Sequence, residues 1–193
     1  MRPLPLLLAV GIVLTAASLA AQPDGMMSLS VPDVPLRDQN GKVVHLYSDL
    51  IRGNAVVMNF VFTSCTTICS PMGANFGALQ SQVGRDVRLI SISIDPGTDT
   101  PERLKKWSSQ FQRGSLQGAT WTLLTGSREN VDRALKALGA YTANRFNHAP
   151  MLLVGDGQTN RWIRANGLVA PSEVVKMIKR ARTPHQSAGE VSP

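Results

Sequence analysis

The chain has 193 residues, enough for one domain with a substantial core. With 43% hydrophobic and 17% charged residues, no repeat and no low-complexity tract, it is neither a disordered nor a fibrous protein. The net charge is +7, but the basic residues are scattered and no arginine-rich run with interleaved aromatics occurs. That argues against nucleic-acid binding and leaves a solvated surface or, as a weaker reading, attraction to an anionic membrane or an acidic partner.

The N-terminus opens with Met1-Arg2, an apolar stretch from Leu4 to about Ala17, and then Ser18-Leu19-Ala20-Ala21. A basic start, an apolar middle and small residues before a polar chain make the pattern of a secretory signal. Residues 1–21 therefore read as a signal peptide or, if uncut, as a membrane anchor. Either places the following domain, residues 22–182, outside the cytoplasm.

An extended segment, Ser28 to Leu36, is broken by Pro32 and Pro35, and Asp38-Gln39-Asn40-Gly41 is a turn. Lys42 to Tyr47 alternates like a strand. Ala55 to Phe62 is apolar but for Asn59, as expected of a central strand covered on both faces. Two cysteines follow at once, and Pro71 to about Val83 reads as a helix. Val87 to Ile94 is a second buried strand. Thr100 caps the next helix, with Pro101 in its first turn and Trp107 and Phe111 on its apolar face. Trp121 to Leu124 is a short strand, and a helix capped by Ser127 runs to about Leu138 and stops at Gly139. Pro150 to Val154 and Arg161 to Arg164 pair across the Gly155-Asp156-Gly157 turn. Ser172 to Ala181 is the last helix, and 183–193 reads as a disordered tail. The order β-β-α-β-α-β-α-β-β-α implies an α/β layered domain with a mixed central sheet flanked by helices. A strand, a cysteine motif, a helix and a later proline-led hairpin together resemble the thioredoxin fold, here with an N-terminal β-hairpin extension.

The chain's two cysteines, Cys65 and Cys69, are four residues apart. A disulfide closing so short a loop stabilises little, which favours redox or metal chemistry over scaffolding. The pair sits just past a buried strand, where sites form in open α/β sheets. If the intervening residues are helical, the i, i+4 spacing puts both sulfurs on one face. The nearby helix N-terminus favours the thiolate. Three readings stay open: a structural disulfide, a redox dithiol, and a metal site. The redox reading departs from the common C-x-x-C by one residue, and C-x-x-C-H for c-type haem is absent. Thiolates select Cu(I) or zinc, but structural zinc normally takes four protein ligands and few are on offer.

Of the three histidines, His45 lies in an early strand and reads as a sheet-surface residue, and His185 lies in the tail. His148 stands two residues before Pro150. In the thioredoxin fold a proline-ended loop at that point packs beside the cysteine helix. Two thiolates and an imidazole make a compact three-coordinate site for Cu(I) and also accommodate Cu(II).

At these residues the chain resembles the Sco/SenC family of copper-binding thioredoxin-like proteins. The resemblance runs from about Asp33 to Lys179. It is carried by Asp38-Gln39-Asn40-Gly41-Lys42, by Phe62-Thr63-Ser64-Cys65-Thr66-Thr67-Ile68-Cys69 and by Ser91-Ile92-Ser93-Ile94-Asp95-Pro96 with Asp99-Thr100-Pro101. Trp121-Thr122-Leu123-Leu124-Thr125-Gly126 and Asn147-His148 complete it. The resemblance implies a periplasmic or membrane-facing protein that assists cytochrome c oxidase assembly. Such a protein delivers copper to the binuclear centre of subunit II, reduces the disulfide of that centre's cysteines, or both, and meets a copper donor or a thiol-disulfide reductase in turn. It maps the copper ligands onto Cys65, Cys69 and His148, and makes Asp95 an acid near the site. The chain departs from the family pattern at Thr66 and Ser70, where proline is common, at Asn147, where aspartate is common, and at Ala149-Pro150. Pro150 resembles the cis-proline of ordinary thioredoxins.

Three functions are therefore weighed. A copper chaperone uses all three ligands. A thiol-disulfide oxidoreductase for a cuproprotein needs only the redox pair Cys65 and Cys69, with Cys65 the attacking thiol. A thioredoxin-superfamily peroxidase would use Cys65 alone. Replacing His148 with Ala separates the first two.

Overall fold

The structure is a computed structural model that describes residues 25–112 and 118–183. The expected leader at 1–21, the tail beyond Thr183 and His185 lie outside the described residues. Among the described residues, no helix is long and apolar enough to cross a membrane.

One seven-stranded sheet carries the domain, in the order β2-β1-β5-β4-β3-β6-β7. Its strands are β1 (Pro35–Asp38), β2 (Val43–His45), β3 (Ala55–Val61), β4 (Val87–Ser93), β5 (Thr120–Thr125), β6 (Met151–Asp156) and β7 (Arg161–Asn166). The three central strands β3, β4 and β5 are parallel. Antiparallel partners close both sides: β6 and β7 beyond β3, and the β1–β2 hairpin beyond β5. This is the mixed thioredoxin-like sheet with the expected N-terminal hairpin.

Every residue of β3 is buried, as its largely apolar run requires. Its one polar member, Asn59, is satisfied in part across the sheet. Ser91 donates to Asn59 Oδ1 at 2.6 Å and accepts from Trp121 Nε1 at 2.9 Å. The Trp121 ring then meets Phe76 of α1 (Cys69–Gln80) at 5.7 Å and Trp107 of α2 (Pro101–Ser109) at 6.1 Å. So α1 and α2 share one face of the sheet, and α4 (Pro171–Arg182) packs against α1, β3 and β6. The close approach of α1 to the end of α2 depends on Gly77, whose Cβ would lie 2.1 Å from the Phe111 carbonyl oxygen. Thr100 caps α2 by accepting the Arg103 N–H, and Ser127 caps α3 (Arg128–Ala137) in the same way with Asn130. Gly139, at φ +67°, stops α3 where a side chain would be strained.

Three local expectations are corrected. The strand expected over Lys42 to Tyr47 ends at His45 and gives way to one turn of π-helix, Leu46–Ile51. Two carboxylates draw the backbone out of the sheet: Asp49 accepts the His45 N–H at 2.8 Å, and Asp33 accepts those of Tyr47 and Ser48. The α1 helix begins at Cys69 rather than Pro71, which leaves the proline in the first turn, where its missing N–H costs nothing. The peptide before Pro150 is trans, like every peptide of the described residues.

Candidate metal centre

The carboxyl end of β3 runs straight into the cysteine loop. Phe62 is buried, and its carbonyl accepts the Cys65 N–H at 3.1 Å. Cys65 itself stands in the loop and only Cys69 is helical, so the pair does not occupy one helical face as an i, i+4 repeat would give. Another contact joins them. The Cys69 N–H, one of the orphan donors at the start of α1, donates to the Cys65 sulfur at 3.4 Å. No side chain of the capping residue Ile68 does this work, so the sulfur itself caps the helix.

The two thiols therefore differ. Burial opposes ionisation of Cys65, but hydrogen bonds from the Cys69 side chain and from the Thr67 and Cys69 backbone outweigh it. They hold the thiol below its ordinary pKa. Cys69 is wholly buried, and burial, with the hydrogen bond to Cys65 second, pushes its thiol up to about 12. Both cysteines are free thiols.

His148 follows the 3₁₀ turn Arg145–Asn147 and lines one pocket of about 160 Å³ together with Phe62, Ser64, Cys65, Ile68 and Phe146. Its Nε2 lies 2.7 Å from the Phe60 carbonyl oxygen. A carbonyl can only accept, so Nε2 carries the proton and Nδ1 keeps the free lone pair. Burial lowers the imidazole pKa, and the bond to Phe60 opposes the shift without cancelling it. The ring is accordingly neutral at neutral pH, the form a metal requires. As the side chains stand, no three His, Cys, Asp or Glu residues among those described are grouped closely enough to share one ion. Cys65 and His148 line a common pocket, and closing a three-ligand shell needs a rearrangement around it.

One candidate lies elsewhere. His45 is half exposed on the β1–β2 hairpin, 3.8 Å from Asp33, and is not brought to the thiols. The Asp95 carboxylate forms an ion pair with Arg145.

Sequence reasoning gave Asp99 no role at the site, naming it only among the residues that carry the family resemblance. The side chain is 1% exposed. It accepts from the Thr63 N–H at 3.2 Å, from the Thr63 hydroxyl at 2.6 Å and from the Ser93 hydroxyl at 2.6 Å. It thereby ties the cysteine loop to the end of β4, and its charge helps to keep Cys69 protonated. The signal that could have found it is its place with Asp95 beyond the carboxyl end of a buried strand. Arg145, whose guanidinium lies over the rings of Phe62 and Phe146, was also missed; its spacing in sequence carries no such signal.

The SCO1/SenC family model matches residues 30–181. An SCO1 protein homologue of Bacillus subtilis is 36% identical over 119 residues, which is 59% of this chain and 59% of that relative, so the alignment takes in less than two thirds of the relative's length. Among solved structures, BsSco, described as a member of the Sco family of cytochrome c oxidase assembly proteins with a disulfide switch, is 30% identical. It superposes with a TM-score of 0.65 over 80% of this chain and 94% of its own. ScoI of Bradyrhizobium japonicum, solved with copper bound, shares the fold at 24% identity and a TM-score of 0.63, over 79% of this chain and 99% of its own.

Proposed function

Because this chain belongs to the SCO1/SenC family, we propose that it is an exported copper-binding protein of the cytochrome c oxidase assembly type, holding one copper ion through Cys65, Cys69 and His148. The observation that carries this reading is the shared pocket: Cys65 and the half-buried His148 line it, and Cys69 adjoins Cys65 through the N–H to sulfur bond. The donor set fits copper. Two soft sulfurs and a neutral imidazole with Nδ1 free suit Cu(I), and they offer too few ligands for a closed structural zinc site.

The chemistry follows from the asymmetry of the thiols. Cys65, with its lowered pKa and partial exposure, meets an incoming ion first as thiolate. Cys69 gives up its proton to the ion, since a coordinating thiol is deprotonated by the metal even where burial alone would keep it protonated. His148 closes the shell from a loop in which no residue from 139 to 150 is buried and which meets the core through single contacts such as Phe146 on Phe62, so the movement it must make leaves the interior of the core in place. A client with its own thiolates takes the ion by stepwise ligand exchange. The client is a cuproprotein, best represented by subunit II of cytochrome c oxidase, and the N-terminal leader or anchor puts the exchange in the periplasm.

The same asymmetry favours a second reading, disulfide reduction of the client's copper-site cysteines. The Cys65 thiolate attacks the client disulfide and releases one client thiolate. Cys69, on losing its proton, then attacks the mixed disulfide and releases the second. The client gains two electrons and becomes a dithiol, while this chain ends with a Cys65–Cys69 disulfide.

Copper titration of the dithiol and disulfide forms of the exported domain tests the main proposal. The expected result is one ion bound per dithiol chain and none by the disulfide form. Binding that survives in the disulfide form, or in the C65S and C69S variants, would overturn it.

A further inference from the structure

The acid that the family resemblance places near the thiols is paired with the loop that carries the histidine. Asp95, 7% exposed, sits just past the end of β4 in a fixed turn. The Ser93 hydroxyl accepts its N–H at 3.0 Å, and its carbonyl accepts from Thr98 at 3.0 Å and Asp99 at 2.9 Å. A carboxylate at that depth requires a charged partner, and Arg145 supplies it. The guanidinium carbon of Arg145 lies 5.8 Å from the centre of the Phe62 ring and 5.0 Å from that of Phe146. The two rings meet edge to face at 6.2 Å. Phe62 begins the cysteine loop, and the carbonyl of Arg145 accepts the His148 N–H at 3.3 Å. One side chain thus touches the end of β4, the start of the cysteine loop and the turn that presents the imidazole. The segment from Gly139 to Pro150 has no buried residue; besides Arg145 it is held by Ala140 against the edge of the core and by the 2.7 Å bond from the His148 ring to the Phe60 carbonyl, which fixes the ring but not the turn behind it. The Asn144 side chain, which accepts the Phe146 N–H at 3.0 Å, shapes the turn locally but does not tie it to the sheet.

We infer that Arg145, braced by Asp95, is a positioning residue for His148: it sets how far the imidazole stands from the thiols and so how readily the third ligand joins them. The inference rests on the copper reading above for its consequence, and on the ion pair and ring contacts for its geometry. Arg145 touches no metal; it acts through the backbone of the turn. Contacts that orient a ligand in this way are worth about ten- to a hundredfold in metal affinity when removed.

The test uses the parent protein with Arg145→Ala, Arg145→Lys and Asp95→Asn, and has two readouts. The first is amide hydrogen exchange without metal. Exchange should accelerate across residues 140–148 in Arg145→Ala and Asp95→Asn while β3 and β4 keep their protection, and Arg145→Lys, which retains the ion pair, should fall between them and the parent. The second is the nitrogen hyperfine coupling of bound Cu(II), together with its affinity. Both Arg145→Ala and Asp95→Asn should weaken the imidazole signature and lower affinity about tenfold. Unchanged exchange in the loop, or loss of protection spread equally through β3 and β4, would overturn the inference. So would a nitrogen signature and affinity that match the parent in both variants. A parent protein that takes up no copper would defeat the preceding proposal, and the exchange comparison would still decide this one.

Discussion

The cysteine loop and the histidine loop face the same pocket but are built by opposite means. The cysteine loop is an extension of the core. It leaves a wholly buried strand, Asp99 ties it to the end of β4 through three hydrogen bonds from Thr63 and Ser93, and Cys69 is itself a core residue. The histidine loop has no buried residue of its own from 139 to 150 and is positioned by contacts of single side chains, the Arg145–Asp95 pair and the His148–Phe60 bond. The difference teaches how such a site divides its labour. The thiols are held by the fold and the imidazole by a few side-chain contacts, so on the proposed copper reading affinity rests on the first loop and its tuning on the second.

Substitutions can break or sharpen that contrast. The largest effect should come from Cys65→Ser or Cys69→Ser, each of which removes a thiolate and should abolish measurable binding in a Cu(I) competition titration. Asp99→Ala should follow. It leaves the Thr63 N–H and the Thr63 and Ser93 hydroxyls without their acceptor, at about 3 kcal/mol of stability. Thermal unfolding should show the midpoint falling by roughly 6–12 °C, and Cys69 should become accessible to alkylation. His148→Ala should be milder than the cysteine changes but exceed the about ten- to a hundredfold that loss of a ligand-orienting contact costs in copper affinity, while the melting temperature and the rate of exchange with a small disulfide stay close to the parent's. An equal loss of melting temperature in His148→Ala and Asp99→Ala would erase the contrast. The smallest effect is one of pH in the unaltered protein. Since its hydrogen bonds hold the Cys65 thiol below the ordinary range, its iodoacetamide reactivity should rise at lower pH than that of a free cysteine. Cys69, pushed up to about 12, should stay unlabelled while the protein is folded.

The central sheet was legible because its strands are β-prone, largely apolar runs bounded by turns. Ala55 to Val61 and Val87 to Ser93 could be little else. The caps Thr100 and Ser127 were legible because one side-chain oxygen satisfies one backbone donor, a local matter. The turn at Leu46 was not, because it depends on Asp33, more than ten residues earlier in the chain. In the site, the cysteines and His148 stood out by chemistry and by their places beside strands. Asp99 and Arg145 did not, since what they do depends on partners that folding brings close from 36 and 50 residues away. Nor could spacing show that the His148 ring bonds to the Phe60 carbonyl, or that a helix N–H donates to the Cys65 sulfur.

X-ray absorption at the copper edge, on the one-to-one complex of the dithiol protein and its His148→Ala variant, tests the central claim most directly. The account predicts two sulfur ligands and one imidazole nitrogen in the parent, with the nitrogen alone lost in the variant. An identical shell in both proteins, or a shell without both sulfurs, would contradict it.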